Sequence, residues 1–219
     1  MTEPAKSPRR EVKARSTGWA RRLAAGLSGT GIRPNTISVC SIVFATGAAA
    51  LLVAAGQKSF PSRTALLLGA AVLIQLRLLC NLFDGMVAVE GGKGTPAGAL
   101  FNDFPDRVAD PLILVGAGYA VQATPHAITL GWLAGLLAVF TAYVRVLAGA
   151  CHAEQRFLGP MAKQHRMALV TLAILAVAAT AQWNDGGLIM IIALSVVCVG
   201  CVITAARRLL HASRELDSQ

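Results

Sequence analysis

Apolar residues in this chain come in long runs rather than in the narrow stripes of a soluble amphipathic helix. Six runs stand out, at 36–56, 64–83, 97–121, 127–150, 167–183 and 188–206, the fifth being the shortest. About 20 mainly apolar residues carry a helix across roughly 30 Å of hydrocarbon, so the pattern predicts an all-α integral membrane protein with six transmembrane helices. Connections at 57–63, around Pro125-His126 and at 182–187 are short, whereas those at 89–96 and 152–166 are longer and polar. Function is expected on the longer pair. Small residues within the runs (Gly47, Ala48, Gly69, Gly116, Gly118, Gly131, Gly135) suit close helix packing.

Ahead of the first run, residues 1–11 are polar. From Val12 to Leu27 the pattern changes: Trp19, Leu23 and Leu27 recur at helical spacing, with Arg15, Arg21 and Arg22 on other faces. This predicts an N-terminal amphipathic helix lying in the membrane interface, the plainer alternative being a solvated basic tail. Pro34-Asn35-Thr36 marks the start of the first span, with proline in a permitted first-turn position. The domain plan is a basic tail and interfacial helix at 1–30, a six-helix domain at 31–210 and a C-terminal tail at 211–219.

A net charge of +9 is compatible with nucleic-acid binding, but the positions of the charges point to the membrane instead. Lys6, Arg9, Arg10, Lys13, Arg15, Arg21, Arg22 and Arg33 precede the first span, Lys93 follows the second, and Arg156, Lys163 and Arg166 follow the fourth. Arg207, Arg208 and Arg214 follow the sixth, while the opposite loops hold only Lys58 and Arg63. The positive-inside rule then puts both termini in the cytoplasm of a multi-pass cell-membrane protein, which requires an even number of spans. A basic stretch of this length before the first apolar run is a poor match to a cleaved signal peptide. Cys40, Cys80, Cys151, Cys198 and Cys201 sit in or beside apolar runs, so the C-x-x-C at 198–201 reads as packing rather than as a redox or metal pair.

Ionisable residues at membrane depth each cost about 2.5–3.5 kcal/mol on insertion scales and call for a partner or a function. The second span ends with Arg77, Asn81 and Asp84 at i, i+4 and i+7, on one helical face. The third begins with Asn102, Asp103, Asp106, Arg107 and Asp110, of which Asp103, Asp106 and Asp110 are again i, i+3 and i+7. A Gly-rich loop from Glu90 to Pro96 joins the two helices and is expected to bring these faces together on the cytoplasmic side. Oxygen-only ligands of this kind suit hard divalent ions, Mg²⁺ or Mn²⁺, which bind substrate phosphates. A plain salt-bridge network is the competing structural reading, but Arg77 and Arg107 neutralise two of the four acids and leave two unpaired. A proton or cation pathway is the competing functional one.

The segment NLFDGMVAVEGGKGTPAGALFNDFPDRVAD (residues 81–110) resembles the signature of the CDP-alcohol phosphotransferases, D-x-x-D-G-x-x-A-R followed after about eight residues by G-x-x-x-D-x-x-x-D. Asp84, Gly85, Ala88, Gly98 and Asp106 fall on matching positions. The six-span layout, the Pro-Asn start of the first span and the Thr-Ala-Tyr-Val-Arg segment ending at Arg145 are also similar to the family. Asn81 and Asn102 stand where the family has acids, and Val89 where it has arginine. The two asparagines look similar to a divergent bacterial branch in which an acid, here Asp103, adjoins the second one.

The resemblance implies a homodimeric enzyme of phospholipid biosynthesis. It would move a phosphatidyl group from CDP-diacylglycerol, or another CDP-linked lipid, to a small alcohol or phosphorylated alcohol and release CMP. Two divalent ions are implied between Asn81, Asp84, Asn102 and Asp106, with Asp103 and Asp110 restoring lost charge. Asp106 is implied as the general base, and Gly85, Ala88 and Gly98 as positions of close approach to the nucleotide. With Val89 unable to hold phosphate, Arg77, Lys93 or Arg107 are the candidates for that task. Arg145, Lys163 and Arg166 read as a basic pocket for an acceptor phosphate or carboxylate, or, for the last two, as membrane anchors. His152 and His165 read as ordinary loop residues. A family member that binds nucleotide-lipid without turnover and a small cation transporter are the rival functions.

Overall fold

The computed structural model describes residues 17–29, 31–57, 62–90, 97–121, 124–156, 158–181 and 186–218. They form seven helices: α1 (Gly18–Gly29), α2 (Pro34–Gly56), α3 (Arg63–Glu90), α4 (Gly98–Tyr119), α5 (Pro125–Ala150), α6 (Lys163–Thr180) and α7 (Gly187–Asp217). No strand occurs among the described residues. Pro34 and Pro125 open α2 and α5 in the first turn, where a missing N–H is not needed by the helix. Gly186 precedes α7 at φ +69°, and a Cβ there would lie 2.6 Å from Val177, so glycine is required on two counts.

The six long helices coincide with the six predicted runs, but α3 and α7 continue past the expected ends at 83 and 206. Four of them are long and apolar enough to cross a membrane: α2, Arg63–Ala88 of α3, α5, and Gly187–Leu216 of α7. The predicted third and fifth spans, now α4 and α6, exist as helices without meeting that standard. Asp103, Asp106, Arg107 and Asp110 lie within the first 13 of the 22 residues of α4, and Lys163 and Arg166 in the first turn of α6. Two further breaks in the apolar pattern lie inside α4, where Pro105 and Pro111 deprive the carbonyls of Phe101 and Arg107 of their helical donors.

Helices α2, α3, α6, α7, α5 and α4 pack in that order around a closed ring, α4 returning to α2. The short α3–α4 connection therefore does not make these two helices close neighbours; they touch sparsely, with α2 packed against both. Ala48 and Leu52 of α2, Ile74 of α3, Ile113 and Leu114 of α4 and Ile174 of α6 are fully buried at the centre. The outside is equally apolar: Val43, Leu136 and Leu188 are 66, 67 and 71% exposed. An exterior of this kind is stable in lipid and not in water, which makes the chain a multi-pass membrane protein.

Helix α1 rests on α3 through Ala20 and Ala24, and the Trp19 ring meets Phe83 edge-on at 6.3 Å. Of the predicted amphipathic stretch from Val12 to Leu27, residues 12–16, with Arg15, lie outside the described residues, as do Lys58 and the 91–96 loop with Lys93. All five cysteines are free, and Cys198 and Cys201 are buried in the core.

Glycines set the closest approach in the bundle. A Cβ on Gly118 would sit 2.5 Å from the Ala127 carbonyl oxygen, and one on Gly131 2.8 Å from that of Leu114, so α4 and α5 meet backbone to backbone. Gly131→Val should therefore cost about 1–3 kcal/mol or more by overpacking. A lower apparent Tm and a loss of the monodisperse peak in detergent are the expected readouts. Gly26→Ala in α1, where a Cβ meets nothing within 4 Å, should leave both unchanged.

Candidate active site

One buried guanidinium links the two helices that carry the motif. Arg77 of α3 is fully buried, and its Nη2 donates to Asp106 Oδ1 at 2.9 Å and to Asp110 Oδ1 at 2.5 Å, both on α4. Asp110 is held from the other side by Arg166 of α6, whose Nη2 donates to Oδ2 at 2.8 Å. Arg166 is itself seated by the Met161 carbonyl at 3.0 Å and the Thr141 hydroxyl at 3.3 Å. Both oxygens of Asp110 are thus taken by arginines.

One helical turn closer to the N-terminus of α4, Asp106 is only 5% exposed. Its Oδ1 also accepts from Asn81 Nδ2 at 3.0 Å, and its Oδ2 accepts from Lys163 Nζ. Asn81 Oδ1 is buried with no hydrogen-bond partner among the described residues. Asp84, 3% exposed, takes a hydrogen bond from the Ser38 hydroxyl of α2 at 2.6 Å and one from the Gly85 N–H. Among the described residues no cation pairs with Asp84. Gly85, Ala88 and Gly98 are half-buried along the same ends of α3 and α4.

Asp103 belongs to a separate, outer group. It is paired with Arg145 of α5 and, at 3.2 Å, with Arg107 one turn along α4. Helix positions 103 and 106 diverge enough for the two carboxylates to face different partners. The Asn102 and Val89 side chains lie outside the described residues.

The expected charge deficit is overturned by this arrangement. Three of the four acids (Asp103, Asp106, Asp110) are met by five cations, Arg77, Arg107, Arg145, Lys163 and Arg166, so the four acids are outnumbered although Asp84 itself has no ion pair among the described residues. Counting Arg77 and Arg107 alone omitted the three that α5 and α6 deliver across the ring. The residues expected at the nucleotide and the acceptor differ in their surroundings. Arg77 and Arg166 are buried against carboxylates rather than open to phosphate, whereas Lys163 retains 30% and Arg145 11% of its side-chain exposure. His152 is an exposed turn residue at φ +68°, as expected of a loop, whereas His165 lies in the first turn of α6, its ring against the Pro160 carbonyl at 2.7 Å.

Ser38, Thr141 and Arg208 escaped the sequence reading. Arg208 donates to the carbonyls of Thr141 at 2.6 Å and Leu158 at 3.0 Å, pinning the α5–α6 connection to α7. No local signal distinguishes Ser38 as a partner of Asp84. Ser41, one turn on and equally buried, merely bonds the backbone of its own helix.

No family model matches the chain. The inner membrane protein YnbA of Escherichia coli K12 is 24% identical over 145 residues, covering 66% of this chain and 71% of that protein. Among solved structures, the Mycobacterium tuberculosis phosphatidylinositol phosphate synthase with CDP-DAG bound matches at a TM-score of 0.72 and 18% identity, over 88% of this chain and 92% of the other. The same enzyme in complex with manganese and citrate matches at 0.74 and 18%, over 89% and 88%. At such identities the likeness is one of fold: this chain is built like a member of the CDP-alcohol phosphotransferase family, the family that residues 81–110 resemble.

Proposed function

We propose that the protein is a CDP-alcohol phosphatidyltransferase, taking the phosphatidyl group from a CDP-linked lipid such as CDP-diacylglycerol. The observation that carries the reading is the gathering of Asn81, Asp84 and Asp106, all at motif positions, where the ends of α2, α3 and α4 meet. The same fold holds CDP-DAG in the mycobacterial synthase, which supports a CDP-lipid here.

A divalent ion fits these residues. Asn81 Oδ1 is a buried acceptor without a donor, and Asp84 lacks a cationic partner among the described residues. Three acids do not come together there as a metal-binding group, so the amide oxygen is needed to complete the set. Asn81, Asp84 and Asp106 are the ligands we assign, with Asn102 as a fourth by motif position. Asp103 and Asp110 are committed to arginines and serve the charge balance instead. When bound, the metal would neutralise pyrophosphate oxygens and the charge that builds on them during transfer.

The chain's own groups do the rest. Asp106 accepts the proton of the acceptor hydroxyl at a carboxylate oxygen, the acceptor oxygen forms its bond to the lipid phosphorus, and the bond to CMP breaks. Lys163 lies on Asp106 Oδ2 and must move aside for that step, toward the acceptor's own anionic group. Arg145, paired with Asp103 one turn nearer the start of α4, is the second candidate for that anionic group. Gly85, Ala88 and Gly98 leave the helix backbone open to the cytidine. We place both termini and this site on the cytoplasmic side, α1 in the interface, and two copies in the working unit, on the basic loops and on the family pattern.

A family member that binds without turning over is favoured by one observation, the engagement of both Asp106 oxygens by protein donors. The experiment is CMP release from CDP-diacylglycerol by the purified protein in lipid nanodiscs, with a panel of acceptors and mass spectrometry of the lipid product. Release that needs Mg²⁺ or Mn²⁺ and falls at least about 100-fold in Asp84→Ala is the expected result. Nucleotide and metal binding with no CMP from any acceptor would establish the silent reading, and full release by Asp84→Ala would remove Asp84 from the site.

A further inference from the structure

Helix α7 is longer than a membrane crossing needs. Its 31 residues span roughly 46 Å at 1.5 Å per residue, against about 30 Å of hydrocarbon, and the sequence turns polar at Arg207. The projecting turns carry Arg207, His211 and Arg214 at i, i+4 and i+7, on one face. That face and the α5–α6 connection line an open-sided cavity of about 630 Å³, within the size range of small-molecule sites.

The cavity wall is strongly cationic. Arg207 and Arg214 line it with no hydrogen bond or ion pair among the described residues, in contrast to Arg208, which is turned inward onto backbone carbonyls. Arg156 faces them from the connection, held between Glu154 Oε2 at 2.7 Å and His211 Nε2 at 3.1 Å. The acid on the wall, Glu215, is only partly engaged: its Oε1 accepts from the Glu154 N–H at 2.9 Å, while its Oε2, 3.8 Å from His211 Nδ1, has no hydrogen-bond partner among the described residues. The wall is also firm. Gly159 sits at φ +114°, and a Cβ there would be 2.6 Å from Thr204, so the connection lies hard against α7.

We propose that this cavity is a second anion site, distinct from the Asp106 cluster, and that it takes a phosphate mono- or diester on Arg207 and Arg214 with Arg156 closing the far side. Guanidinium groups bind phosphate oxygens in pairs, and two arginines on one face of a cavity, with no partner among the described residues, are placed for it. The residues between the two sites are shared. Leu158 and Gly159 line the cavity, and two residues on the Met161 carbonyl seats Arg166, the partner of Asp110. The phosphate belongs either to a lipid headgroup or to a soluble phosphorylated compound, both within reach of a helix that leaves the membrane.

The test uses the full-length protein, Arg207→Gln/Arg214→Gln, and a charge-matched control, Arg22→Gln/Arg33→Gln, which leaves α7 intact. In detergent, inorganic phosphate is titrated against thermal stability. In nanodiscs, retention of phosphatidylglycerol is compared with that of phosphatidylcholine by native mass spectrometry. The inference expects the apparent affinity for inorganic phosphate, or the excess of retained phosphatidylglycerol, to fall about tenfold in the α7 variant and not in the control, as for the loss of a charge-assisted contact. A response in the phosphate arm assigns a soluble ligand, and one confined to the lipid arm assigns a headgroup. Equal behaviour of the α7 variant, the control and the unaltered protein in both arms would overturn it.

Discussion

Asp106→Asn is expected to reduce CMP release by about 10²–10⁴-fold, the usual worth of a positioned general base. The substitution keeps the size of the side chain and one oxygen to receive Arg77, but removes the charge that Lys163 faces and the site that accepts the proton. Arg77 retains Asp110 at 2.5 Å, and Asp110 retains Arg166, so the buried bridge beneath the site survives. The apparent Tm should therefore shift far less than the rate. Single-turnover CMP release, measured beside nucleotide binding, separates the outcomes. A rate that falls while CDP-lipid still binds fits the base. A rate that falls only in step with binding would make Asp106 a ligand and nothing more. A rate that holds would move the chemistry elsewhere.

The sequence made the helices legible because membrane crossing imposes a length and a composition that can be counted. It made one face of α3 and one of α4 legible because 3.6 residues per turn fixes which side chains share a face. Periodicity says nothing about what that face looks at. Arg145, Lys163 and Arg166 are 42, 57 and 56 residues from the acids they meet, and the ring order that brings α5 and α6 to α4 has no local signature. Charge counting along the two motif helices therefore found a deficit where the folded protein has an excess of one cation. Likewise the motif position suggested Asn81 as an oxygen ligand, but an Oδ1 with no partner among the described residues could emerge only from the packing around it.

Arg77→Met should be the most damaging single substitution away from the chemistry. Arg77 is fully buried and bridges Asp106 and Asp110, and its removal leaves two carboxylates in a low-dielectric interior, each with one cation fewer. Breaking a buried pair in this way costs about 3–5 kcal/mol, readable as a drop in apparent Tm and in folded yield. If the loss arises from stranded charge, Asp110→Asn in the same chain should restore part of it. The two substitutions would then be non-additive by about 0.5–3 kcal/mol in a double-mutant cycle. Simple additivity would show that Arg77 acts through its volume alone. A lysine at the same position tests whether Arg77 serves nucleotide phosphates instead. A phosphate-binding arginine replaced by lysine would weaken CDP-lipid binding with the melting point intact, whereas the bridge predicts that Arg77→Lys, whose single ammonium cannot reproduce the fork between two carboxylates, melts earlier before any change in binding is seen.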